Sequence, residues 1–139
     1  IDENGSTCIR VVDYKTGSND KTSIKSVDDI FNPEKIESHS DYYLQALLYS
    51  IMLYNNRNLN PNHLPVSPAL LFIQHATGDD YTPILKFGKD IITDVSIYTE
   101  DFLSKLKELI EDIFNPNIAF NPTENTKRCQ YCPYREICG

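Results

Sequence analysis

Two places in the 139-residue sequence bring side chains of catalytic or metal-binding type close together. The first is Val11-Val12-Asp13-Tyr14-Lys15-Thr16-Gly17, with an acid and a base two residues apart at the exit of an apolar stretch. In a β-strand, residues i and i+2 point to the same face, about 6.5–7 Å apart. A carboxylate so placed can hold Mg²⁺, and the Tyr14 carbonyl can add a second oxygen. The ammonium can orient a water or stabilise charge on a phosphate under attack. Alone, the pair reads more simply as an exposed ion pair at a strand end, worth ~0–1 kcal/mol. Its companions along the chain raise it: Gln45 and Tyr49 stand four apart on an expected helix and so share a face.

The second place is Cys129-Gln-Tyr-Cys132-Pro-Tyr-Arg-Glu-Ile-Cys138. Three thiols at this spacing favour zinc or an iron-sulfur cluster over hard cations. They are one ligand short of a closed site. Cys8 is a poor fourth, because its odd offset from Asp13 on one strand turns it to the opposite face. His39, His63 and His75 are possible substitutes for it in a zinc site, although each reads more simply as a surface or strand-end histidine.

The elements that must position these residues follow from periodicity. Thr7–Tyr14 suits a strand, preceded by the hairpin signal Asn4-Gly5, so that Ile1 would end an earlier strand. Residues 18–37 read as a polar loop with a short helical turn. Ser38 and Asp41 suggest the start of a helix over 39–54, in which Leu44, Leu47, Leu48, Ile51 and Met52 recur at helical spacing. Asn55–Pro65 is a loop, Ala69–His75 a buried strand and Tyr81–Phe87 a neighbouring one, and Ile91–Tyr98 alternates apolar with polar residues. Thr99 is placed to cap a helix over 100–114 whose face carries Phe102, Leu103, Leu106, Leu109, Ile110 and Ile113.

Asp13-Tyr14-Lys15-Thr16, then Gln45-x-x-x-Tyr49, then Cys129-x-x-Cys132 and Cys138 resemble, in order and spacing, the RecB/AddB-type iron-sulfur branch of the PD-(D/E)xK nuclease superfamily, from Ile1 to Gly139. The resemblance implies an α/β, restriction-endonuclease-like mixed sheet flanked by helices, with its N-terminal part missing. It implies that Asp13 is the second metal-binding carboxylate, Lys15 the catalytic lysine, and Gln45 with Tyr49 a helix motif beside metal and DNA. The reaction implied is Mg²⁺- or Mn²⁺-dependent phosphodiester hydrolysis, within a helicase-nuclease that processes DNA ends for recombinational repair. Cys129, Cys132 and Cys138 would hold a structural [4Fe-4S] cluster, completed by an upstream cysteine. A CRISPR-associated four-cysteine nuclease of the same fold and a non-catalytic, DNA-guiding module are the alternatives.

The family pattern also needs an earlier acid. If Asn4 and Gly5 make the turn, Asp2 pairs with Thr7, about 20 Å along the strand from Asp13, and cannot be that acid. The 139 residues are therefore expected to form one truncated domain that does not cleave DNA alone and carries no cluster alone. With 40% hydrophobic residues, 24% charged and a net charge of −7, the chain lacks a broad basic surface for phosphate backbones, so a companion domain is expected to hold the DNA. No apolar run reaches the roughly 20 residues of a membrane span, and closely spaced cysteines fit a cytoplasmic setting.

Overall fold

The apolar stretch around Val11 forms strand β1 (Ile9–Lys15), as its β-branched content favours. The computed structural model describes residues 5–17, 23–78, 81–119, 121, 129–130 and 132–138. Of the expected turn, Gly5 is seen at φ 80°, whereas Ile1, Asp2 and Asn4 lie outside the described residues. Along β1, Ile9, Val11, Asp13 and Lys15 turn inward while Val12 and Tyr14 are exposed.

β1 pairs in parallel with β2 (Val66–Phe72), Ile9 opposite Val66 and Lys15 opposite Phe72. Parallel partners need a crossover. Here it contains α1 (Val27–Phe31), a 3-10 turn (Pro33–Ser38) and α2 (Ser40–Asn55). The architecture is thus α/β, a small parallel sheet with helices. The expected polar loop is more structured than its composition suggests, since Ser26 caps α1 and Asn32 caps the 3-10 turn. Residues 18–22 lie outside the described residues.

α2 begins one residue later than expected and is capped differently. Ser38 ends the 3-10 turn and shares a 2.9 Å hydrogen bond with the Ser23 hydroxyl, which leaves His39 at the N-cap with no side-chain cap bond. Ser40, Tyr43, Ala46, Leu47, Ser50 and Ile51 form the buried stripe, so the helix packs through three small residues as well as large ones. Met52, expected inside, is exposed, while Leu44 and Leu48 pack at the core margin. In the following loop the buried Asn60 side chain donates to Leu64 O and accepts from Leu64 N, replacing the pairing a strand would give.

β2 starts three residues earlier than Ala69, and Ile73–His75 is a 3-10 turn. Pro68 does not interrupt it, because backbone groups alternate sides along a strand. Pro65 O accepts from Ile9 N on the β1 side, whereas Pro68 O and Leu70 N bond Leu85 N and Pro83 O on the other. The missing Pro68 N–H falls on that irregular edge.

The edge is also why Tyr81–Phe87 is not a continuous strand. Ile84 makes a single bridge to Ala69, and only β3 (Lys86–Phe87) is regular. The Tyr81 hydroxyl takes a strand's place, accepting from Phe72 N at 2.7 Å and donating to Leu70 O at 3.0 Å. β3 turns through Gly88, at φ 61°, into β4 (Asp90–Ile91). The alternation beyond it yields a 3-10 turn (Val95–Tyr98), because the Asp94 carboxylate accepts Ser96 N at 3.0 Å and the Ser96 hydroxyl at 2.7 Å.

α3 (Thr99–Phe114) includes Thr99, whose hydroxyl donates back to Val95 O at 3.0 Å instead of capping. Of the expected apolar face, Phe102 is fully buried against Phe31 (ring centroids 5.4 Å), and Leu106 packs at the core margin. Leu103, Leu109, Ile110 and Ile113 are exposed.

The chain forms two compact units, residues 1–109 and 110–139. The first holds the core, in which Ile24, Val27 and Ile30 join α2, β2, Leu85, Phe87, Ile92, Val95 and Phe102. The second contains α4 (Arg135–Cys138), and none of its described residues is buried. No helix among the described residues is long and apolar enough to cross a membrane.

Candidate active site

The alternation of β1 sends Asp13 and Lys15 to the same side of the sheet. Above them runs α2, in which Tyr42, Gln45 and Tyr49 lie at i, i+3 and i+7 and so form one stripe beside the buried one. Strand and helix meet at the Lys15 ammonium. It lies 2.8 Å from Asp13 Oδ2, donates to Gln45 Oε1 at 2.8 Å, and stands 4.2 Å from the centroid of the Tyr42 ring. Gln45 Nε2 then donates to the Tyr49 hydroxyl at 3.1 Å. The charge sets the amide's orientation: its oxygen faces the cation and its NH₂ the phenol.

The four residues singled out by spacing are thereby joined in one chain of contacts, Asp13 to Lys15 to Gln45 to Tyr49. The lysine and aspartate side chains retain 14% and 20% exposure, enough for a reactant to reach them and low enough for the charges to act with little screening. Tyr14 points to the other face and is exposed, so its backbone is what it can offer this site.

Asp13 Oδ2 is buried and meets the Lys15 ammonium at 2.8 Å as an ion pair, with no hydrogen-bond partner among the described residues. A carboxylate oxygen with unused acceptor capacity, next in sequence to a backbone carbonyl, is a hard-oxygen donor set suited to a divalent cation. One carboxylate is not a complete site. Among the described residues no group of three or more His, Cys, Asp or Glu side chains is placed to hold a metal ion.

His39 and Tyr42 were not singled out by spacing. The His39 ring stacks flat on Tyr42, 4.5 Å between centroids and 4° between planes, and its Nε2 is buried without a hydrogen bond. The one signal in the sequence is that Tyr42 precedes Gln45 by three residues. His63 sits in the loop after α2 at φ 50°, and His75 in the 3-10 turn after β2.

In the second unit, Cys132 N donates to Cys129 O at 3.2 Å, and Arg135 N donates to Cys132 O at 3.3 Å. The two cysteines thus flank one tight turn. Cys138 ends α4, and its side chain lies outside the described residues.

The model of the PD-(D/E)XK nuclease superfamily matches residues 1–139. One of the subunits of the ATP-dependent helicase/deoxyribonuclease of Clostridium acetobutylicum is 34% identical over 111 residues, which cover 77% of this chain. The match spans 8% of that protein's length. No solved structure matches the chain.

Proposed function

The chain belongs to the PD-(D/E)XK nuclease superfamily, as the RecB/AddB-type resemblance of its motifs implied, and on that premise we propose that it is the nuclease domain of a helicase-nuclease that hydrolyses DNA phosphodiester bonds. The observation that carries the reading is the contact chain from Asp13 through Lys15 and Gln45 to Tyr49. An ion pair at a strand end has no need of a helix amide 30 residues away. A lysine required in one orientation does.

Asp13, through its under-used Oδ2, and the Tyr14 carbonyl would hold Mg²⁺ or Mn²⁺. When bound, that ion supplies Lewis-acid charge and lowers the pKa of water. The Lys15 ammonium stands beside the same oxygen, where it can orient the attacking water and draw negative charge off the phosphate. Gln45 holds it there and Tyr49 holds Gln45. The earlier acid that the family pattern needs would come from the chain preceding β1, which is why we propose that these 139 residues do not cleave DNA alone.

Cys129, Cys132 and Cys138 would hold a structural [4Fe-4S] cluster together with an upstream cysteine, and both compact units would then belong to one nuclease domain. The family match across both units supports this. The helicase partner and a role in recombinational repair are proposed from the relative's name and the motif resemblance. With a net charge of −7, the domain would depend on that partner to hold the strand.

In the intact protein, Lys15→Ala is expected to lower Mg²⁺-dependent cleavage of linear DNA by roughly a hundredfold or more, with DNA affinity little changed. Cleavage undiminished by that substitution would overturn the assignment. Mg²⁺-dependent cleavage by the 139-residue chain alone, lost on Lys15→Ala, would instead show that the chain holds a complete metal site.

A further inference from the structure

His39 occupies a costly position. It is a non-glycine residue in the left-handed region, φ 61° and ψ 38°. It stands at the N-cap of α2, where Ser, Thr, Asp or Asn would accept a helix N–H, yet it makes no side-chain cap bond. Its Nε2 is buried without a hydrogen bond. Glycine or asparagine would relieve the backbone, and asparagine would also restore a cap. What either would forfeit is the ring that lies flat on Tyr42.

Tyr42 is gripped from two sides. His39 stacks on it at 4.5 Å, and Phe72, the β2 residue opposite Lys15, meets it at 6.2 Å and 45°. Over its ring stands the Lys15 ammonium, 4.2 Å from the centroid. A lysine ammonium carries three hydrogens on a flexible stem. Asp13 Oδ2 and Gln45 Oε1 approach it at 2.8 Å each, and the ring closes a further side. Strain concentrated at one residue, offset by a contact that ends on a proposed reactive group, is the pattern of a position kept for a site and not for stability.

We infer that Tyr42 and His39 are positioning residues for Lys15: the Tyr42 ring is the floor that fixes the ammonium between Asp13 and Gln45, and His39 fixes the plane of that ring. The inference rests on the nuclease reading for its catalytic consequence and on the aromatic stack for its geometry. Each has its own measurement.

The geometry is read by ¹³C-lysine NMR of the 139-residue chain. Lys15 ε-methylene signals should be shifted upfield by the ring current in the wild type and in Tyr42→Phe, less so in His39→Gly, and should return to the ordinary lysine position in Tyr42→Leu. The consequence is read by DNA cleavage in the intact protein. Tyr42→Leu should lower kcat about tenfold, the scale of a partly desolvated cation–π contact, with KM unchanged because the charge stays in the site. Tyr42→Phe should restore the rate. His39→Gly, which relieves the backbone while removing the stack, should lower kcat roughly threefold. Unshifted wild-type Lys15 signals, equal losses in the Phe and Leu variants, or a rise in KM alone would overturn the inference, and the wild-type spectrum and Tyr42→Phe decide it even if Tyr42→Leu does not fold. Full activity of Lys15→Ala would sink the nuclease reading instead, and the NMR result would still stand or fall by itself.

Discussion

The strand–helix site and the cysteine segment both carry reactive side chains at short sequence spacing, but they acquire order in different ways. Asp13 and Lys15 sit on a strand that pairs with the almost fully buried β2, under a helix whose Leu47 is 0% exposed, and Lys15 is tied to Gln45 across 30 residues. Cys129 and Cys132 share a local turn, and Tyr134 and Ile137 beside them are exposed. A carboxylate–lysine site is thus shaped by the hydrophobic core before any ligand arrives. The thiolate site proposed there would depend on its metal for organisation, because metal binding and folding at such sites are one event.

The largest expected effect tests that contrast through the core. Leu47→Ala removes a fully buried side chain beneath the site stripe and should cost about 2–5 kcal/mol of stability. In the metal-free chain, Cys132→Ser should leave the denaturant midpoint unchanged. Equal shifts in the two variants would mean that the cysteine segment is pre-formed and that the contrast fails. The proposed cluster would reverse the order for one readout in the intact protein: Cys132→Ser should abolish a brown cluster absorbance and Leu47→Ala should leave it.

Next in size are the polar contacts. Gln45→Met keeps the bulk on α2 but removes the acceptor for Lys15 and the donor to Tyr49. We expect a loss of about 1.5–3 kcal/mol, the range for a hydrogen bond to a charged group, measured as a shift in denaturant midpoint with constant slope. A stabilised Gln45→Met would show that the amide is strained in the unliganded site.

The two halves of the Asp13–Lys15–Gln45–Tyr49 contact chain were legible in the sequence because each follows a local period: two for Asp13 and Lys15 on β1, four for Gln45 and Tyr49 on α2. Their meeting could not, since no period specifies which helix face lies over which strand. His39 and Tyr42 stayed hidden for the same reason, and because a positive φ at a histidine has no compositional mark. The mixed sheet flanked by helices came from the resemblance and the helices themselves from periodicity, whereas the parallel pairing of β1 with β2 had no mark in the sequence. Errors fell where a side chain did the work of the backbone. Tyr81 stands in for a strand at the β2 edge, Asp94 captures the residues expected to extend, and Thr99 bonds backward instead of capping. Pro68 displaced the start of β2 for a subtler reason, the side to which its missing N–H points.

The smallest effect belongs to the shorter of two ion pairs. Lys105 meets Asp28 at 2.6 Å, closer than Lys15 meets Asp13 at 2.8 Å, yet the Asp28 side chain is 74% exposed and that of Asp13 20%. Solvent screening should therefore outweigh the shorter distance. The hydrogen-bonded Asp28 carboxylate holds the Lys105 ammonium above the usual lysine pKa of 10.5. A raised folded-state pKa means that the pair contributes fully below the unfolded value and loses its contribution only as pH rises through the higher folded one, so nothing should change across neutral pH. Lys105→Met should shift the melting temperature less than Lys15→Met does, and the shift should shrink further at about 1 M salt, where the Debye length is roughly 3 Å. A larger shift for Lys105→Met would mean that contact distance, not burial, ranks the ion pairs of this protein, and the case for Lys15 as the specially held cation would weaken with it.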